Sequence, residues 1–113
     1  MGHAFAGLGI LFRNERNARI ELAAAVLVLV FGIWLKISII EICVVLLCIG
    51  LVLAAEAVNT AIERMADFQH QEIHPDIRSI KDLGAGAVLI TAIVSLVVGV
   101  LIFGPALIEK FGL

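Results

Sequence analysis

From Leu83 to Ile108 no residue carries a charge. A run of that length exceeds the ~20 apolar residues a helix needs to cross a bilayer. Two shorter uncharged blocks precede it. Leu22–Leu35 ends at Trp34 and Lys36, an aromatic and basic pairing that suits a water interface. Ile42–Ala55 meets Glu56 and then continues apolar to Ile62. These two blocks span only if the polar residues at their ends, and Glu56 within, belong to the helices. The reading is an all-α membrane protein with membrane helices over 15–36, 39–68 and 78–108. Composition agrees. Apolar residues are 62% of 113 and mean hydropathy is +1.13, where soluble domains hold about 45–50% apolar residues. So short a chain cannot hide that much apolar surface from water, which excludes a soluble domain and disorder alike.

Met1–Phe12 alternates small residues with Phe5, Leu8, Ile10, Leu11 and Phe12 and has no basic run at its start. It reads as a short surface helix, not a cleaved signal. Arg13, Arg16 and Arg19 precede the first membrane helix, and Arg64, Arg78 and Lys81 lie between the second and third. Lys36 and Lys110 fall on the other side. The positive-inside rule then puts the amino terminus and the 64–82 connection in the cytoplasm, and the carboxyl terminus outside. The net charge of −2 gives no reason to expect a nucleic-acid partner. Cys43 and Cys48 lie about 140° apart around a helix and read as free thiols.

Small residues cluster at Ala54, Ala55, Ala57 and Ala61, then at Gly84–Ala87. They allow close helix approach in lipid, or they only relieve local crowding. Three helices bury little, so a homo-oligomer is expected. Gly84-Ala85-Gly86 is no nucleotide loop, because no strand precedes it.

Glu56 is the most informative residue. A carboxylate at membrane depth is costly and marks function by default. Asn59 and Glu63 follow at i+3 and i+7 on the same helix face, with Thr60 beside them. Glu63 lies about 10 Å nearer the cytoplasm. A polar seam that only joins helices would account for the amide; two carboxylates call for a counter-ion, a proton or a metal. Glu15 should reach the depth of Glu63 from another helix. Paired carboxylates at an interface suit Mg²⁺, which leaves coordination places for phosphate oxygens. The bland reading of this region is a solvated helix end, with Glu15 and Arg19 as an i,i+4 ion pair. Lys81 and Asp82 enter the third helix at the same level, where a lysine binds phosphate or merely snorkels. His70, Glu72 and His74 are spaced for a zinc site, but no cysteine joins them; a polar loop that is solvated or touches a nucleotide is the preferred reading. These parts fit phosphoryl transfer, which asks for positioning and charge neutralisation. Glu56 would take the proton of a hydroxyl arriving from the bilayer.

Asn14-Glu15-Arg16-Asn17, the block Glu56-Ala57-Val58-Asn59-Thr60-Ala61-Ile62-Glu63, and Lys81-Asp82-Leu83-Gly84-Ala85-Gly86-Ala87-Val88-Leu89 together resemble the small bacterial diacylglycerol kinases and their undecaprenol kinase relatives. The likeness covers nearly the whole chain. It implies one integral-membrane lipid kinase unit over 1–113 in the bacterial inner (cytoplasmic) membrane, a homotrimer with composite sites. It implies transfer of the ATP γ-phosphate to a lipid alcohol, with Mg²⁺. By residue match, Glu56 is the base and Glu15 and Glu63 are the metal ligands. Asn59, Lys81 and Asp82 surround the nucleotide, with Glu72, His74 and His3 able to approach it. Glu21 and Trp34 match positions near the lipid path. Ala85 stands where diacylglycerol-using members commonly have Ser. The chain begins late against the family's surface helix, so no basic residue there is assigned. The Asn-Glu-Arg-Asn start and His74-Pro75 look more like the undecaprenol-using branch, and either lipid fits. The rival reading is a small oligomeric ion or proton pathway using Glu56, Asn59 and Glu63 as a ladder. It has no need of Glu15, Lys81 and Asp82 at one interface.

Overall fold

Four helices follow one another in a computed structural model that describes residues 1–69 and 74–112: α1 Gly2–Asn14, α2 Arg16–Trp34, α3 Ile39–Gln69 and α4 Pro75–Phe111. The last three are each long and apolar enough to cross a membrane. The expected helices are all present, and α1 is the expected short N-terminal one. Their ends differ by a few residues, most at α4, which begins at Pro75. Proline fits a first helical position, where its missing N–H costs nothing. The His74 Nδ1 accepts the Asp76 amide at 3.2 Å and Asp76 sits in the first turn, so a segment expected to be loop starts the helix.

The other boundaries have local causes as well. Glu15 is extended (φ −105°, ψ 108°) and separates α1 from α2. The Arg19 guanidinium donates to the carbonyls of Phe12 at 3.0 Å and Arg13 at 2.7 Å. It closes the end of α1 in place of the expected ion pair with Glu15, which is not formed among the described residues. At the end of α2 the Ile37 amide bonds to the Gly32 carbonyl and the Lys36 amide to that of Ile33. This is a Schellman closure with Lys36 in the left-handed conformation at φ 58°. Gly32 leaves room for the Ile37 side chain: a Cβ on it would come within 2.9 Å of Ile37 Cδ1, which would have to shift. Ser38 and Glu41 then exchange side-chain-to-amide bonds of 3.0 and 3.1 Å, a capping box that starts α3.

α3 and α4 share the most extensive packing. At the far end α2 joins α4 through Phe31 and Phe103, stacked at 5.7 Å. The buried apolar set is sparse and mostly small: Leu11, Ala18, Ala25, Leu35, Val45, Ala66 and Ile102. Leu27, Leu47, Leu96 and Leu101 are about two-thirds exposed or more. Such surfaces suit lipid or neighbouring protein, not water. Of the small residues expected at helix contacts, Gly84 is buried, whereas Ala54, Ala61, Ala85 and Ala87 lie on open faces. Cys43 and Cys48 are free thiols, as expected.

Candidate active site

α3 carries the polar ladder. Glu56 and Thr60 are buried, the only charged or polar side chains so placed among the described residues. Asn59 Nδ2 donates to Glu63 Oε1 at 3.5 Å, one turn further along α3. The other amide atom, Asn59 Oδ1, is buried without a hydrogen-bond partner and faces Gly84 of α4. A buried, unpaired amide oxygen beside two carboxylates is an acceptor held ready for a donor from outside the chain.

Two further carboxylates converge on this ladder. The hinge between α1 and α2 delivers Glu15, whose charge acts on Glu56 together with that of Glu63. Glu21, half-buried on α2, feels the charge of Glu56, and its Oε2 is buried without a partner. Glu15, Glu21 and Glu63, from three elements, thus each act on or are acted on by the charge of Glu56. Neither Glu15 nor Glu63 is paired with a lysine or arginine among the described residues. No set of three or more His, Cys, Asp or Glu closes into a metal cage among them either. A donor set of unpaired carboxylate oxygens, with one or two per ion, is what Mg²⁺ takes beside phosphate.

Lys81 on α4 forms an ion pair with Asp67, one turn beyond Glu63 on α3. The sequence reading missed Asp67. Its only signal is a helical spacing of four from Glu63, and the partner lies across the connection. Asp82 is exposed and unpaired among the described residues. His74 serves as the α4 cap, and Glu72, with His70 of the zinc reading, lies outside the described residues. His3 is not brought to this group within the chain. α1 carries it about 18 Å along its axis from the Glu15 hinge.

Beside Glu21 opens an apolar cavity of about 610 Å³ between α2, α3 and α4, lined by Ala25, Val28, Val52, Gly99 and Phe103 among others. Glu21 is the one charged side chain on its wall among the described residues. Trp34, expected near it, is not a lining residue. It lies about 20 Å further along α2, stacked on Phe31 at 5.8 Å with Lys110 above its ring. Ala85 faces away from the α3 seam on the open side of α4.

Gly84 sets the position of Asn59. A Cβ at Gly84 would collide with Asn59 Oδ1, so Gly84→Ala must rotate the amide away from Glu63. Overpacking of this kind costs about 1–3 kcal/mol, and here the displaced group belongs to the site. Gly84→Ala should lower the turnover of the site about tenfold, the equivalent of ~1.4 kcal/mol, and lower thermal stability in detergent by the overpacking cost. Unchanged turnover would mean that the position of Asn59 does not matter.

The profile of the prokaryotic diacylglycerol kinases matches residues 2–103. The chain belongs to that family. This diacylglycerol kinase family member is 41% identical to an undecaprenol kinase of Bacillus subtilis over 93% of its own length and 85% of the relative's. It is 35% identical to a diacylglycerol kinase of Synechocystis over 95% of its length, though only 62% of the relative's. Against the diacylglycerol kinase of Escherichia coli K12 the identity is 33% over 85% of this chain and 79% of that one. As a member of the prokaryotic diacylglycerol kinase family it is a bacterial membrane lipid kinase that uses ATP. That class takes the place of the ion-pathway reading.

Proposed function

We propose that the chain phosphorylates a polyprenol, transferring the ATP γ-phosphoryl group to its terminal hydroxyl, with Glu56 as general base. The observation that carries this reading is the burial of Glu56, with Glu21 on the wall of the apolar cavity and no lysine or arginine paired with Glu15 or Glu63 among the described residues. The lipid chain lies along the cavity, and its hydroxyl passes Glu21 to reach Glu56. Glu56 accepts the hydroxyl proton as the oxygen bonds to the γ-phosphorus. The bond from that phosphorus to the β,γ-bridging oxygen breaks, and ADP leaves. Glu15 and Glu63 hold Mg²⁺, which when bound supplies positive charge to the phosphate oxygens. The free Asn59 Oδ1 accepts from the nucleotide side, and Lys81, held by Asp67, reaches the phosphates with Asp82 beside it.

His3, Glu72 and His74 act on the nucleotide from a neighbouring protomer, which makes the site composite in a homotrimer. The distance of His3 from the Glu15 hinge and the open small-residue faces at Ala54, Ala61, Ala85 and Ala87 support that assembly. Trp34 anchors the far end of α2 at the membrane surface, where the lipid path begins. The basic residues at 13–19, 64, 78 and 81 support a cytoplasmic amino terminus, with ATP on the same side. The whole chain, 1–113, acts as one unit. Two features support polyprenol over diacylglycerol: the 41% identity to an undecaprenol kinase, and Ala85 in place of a serine.

A competition tests the choice of lipid. Vesicles carrying equal undecaprenol and diacylglycerol, with γ-labelled ATP, should put most of the label into polyprenyl phosphate. Label mainly in phosphatidic acid would assign the chain to diacylglycerol, and label in neither lipid would remove the proposal.

A further inference from the structure

A second cavity, of about 410 Å³, lies at the other end of the bundle, where the turn between α2 and α3 meets the last turns of α4. Pro105 on its wall is about 35 Å along α4 from Asp82. That exceeds the ~30 Å thickness of a bilayer's hydrocarbon, so the cavity opens at the membrane face opposite the carboxylate group. Leu35 and Pro105 give it apolar walls, and Lys36, Lys110, Glu41 and Glu109 bring two charges of each sign. The side chains of Lys36 and Glu109 make no hydrogen bond or ion pair among the described residues. Glu41 commits one oxygen to the Ser38 amide, and Lys110 stands 4.8 Å over the Trp34 ring. Lys36 occupies the left-handed position of the α2 closure at φ 58°, where glycine is the usual residue. The fold thus places a cation at the cavity mouth at a conformational cost, which is an observation that invites a functional reading.

Opposite charges that do not neutralise one another within the chain match a ligand that carries both. A free phosphate would meet two carboxylates, and a divalent cation two ammonium groups. We propose that this cavity holds the headgroup of one zwitterionic phospholipid. Its phosphate lies against Lys36 and Lys110, and its ammonium against Glu41 and Glu109. Its acyl chains run down the exposed apolar faces that carry Ile33 and Ile108. The bound lipid pins the α2–α3 turn to the end of α4, away from the chemistry.

The test uses the full chain in nanodiscs of equal phosphatidylethanolamine and phosphatidylglycerol, with retained lipids counted by native mass spectrometry. The ethanolamine lipid should be kept over the glycerol lipid by about tenfold, the factor carried by one charge-assisted hydrogen bond. Lys36→Asn combined with Glu109→Gln should abolish that preference and leave ATP-dependent lipid phosphorylation unchanged. Asparagine tolerates the left-handed conformation, and Glu109→Gln alone, on an exposed turn, is the variant to use if the pair folds poorly. Glycerophosphoethanolamine, which has the headgroup without chains, should not displace the lipid. Equal retention of the two lipids, an unchanged preference in the variants, or displacement by the soluble headgroup would each overturn the proposal.

Discussion

Glu56→Gln is expected to reduce lipid phosphorylation by about 10²–10⁴-fold, the usual cost of losing a general base. Glutamine keeps the shape of the side chain, so the packing around this buried position survives. What is lost is the ability to take a proton. The stability of the protein should move the other way. Glu15 and Glu63 act on Glu56 with like charge, and no lysine or arginine is paired with it among the described residues. Replacing a buried charge of that kind by a neutral amide removes a cost. The variant should therefore melt in detergent at or above the temperature of the parent while binding Mg-ATP. A seam that only joins helices predicts the same melting behaviour with activity intact, so turnover and stability must be measured on one preparation. Full activity would leave the hydroxyl to be positioned by the phosphate alone.

Glu15→Gln and Glu63→Gln should each raise the Mg²⁺ concentration needed for half-maximal ATP use by about tenfold, as expected when one charged ligand is lost. Excess Mg²⁺ should restore part of the rate. The geometry supports this pairing because the two carboxylates come from different elements, the α1–α2 hinge and α3, and both act on Glu56. Glutamine at 63 keeps a carbonyl oxygen that can still accept from Asn59 Nδ2, so what is lost is the charge, and its effect should be similar to that of Glu15→Gln. A Mg²⁺ titration unchanged in both variants would remove them as ligands.

The sequence made the membrane helices legible because a bilayer imposes length and apolarity on each one. The ladder of Glu56, Asn59 and Glu63 was equally legible, since i+3 and i+7 spacing is fixed by the helix itself. What escaped were features set by side chains that reach across turns. Arg19 looked like a partner for Glu15 at i,i+4, but Glu15 is extended and ends the helix, so that spacing does not apply there. His74 looked like loop until its ring accepted the Asp76 amide. The Asp67–Lys81 pair spans fourteen positions and a change of helix, and no periodicity marks it. Trp34 packs on Phe31 at the far end of α2, a contact that apolar patterning alone does not mark.

One phosphoryl group should pass directly from ATP to a lipid hydroxyl at the carboxylate group. Following ADP and labelled lipid together tests it most directly, with purified protein in bilayers containing undecaprenol and γ-labelled ATP. One labelled polyprenyl phosphate should form for each ADP, with no ADP above background in the absence of lipid alcohol. ADP released with the label in free phosphate, or ATP turnover that ignores the lipid, would contradict it.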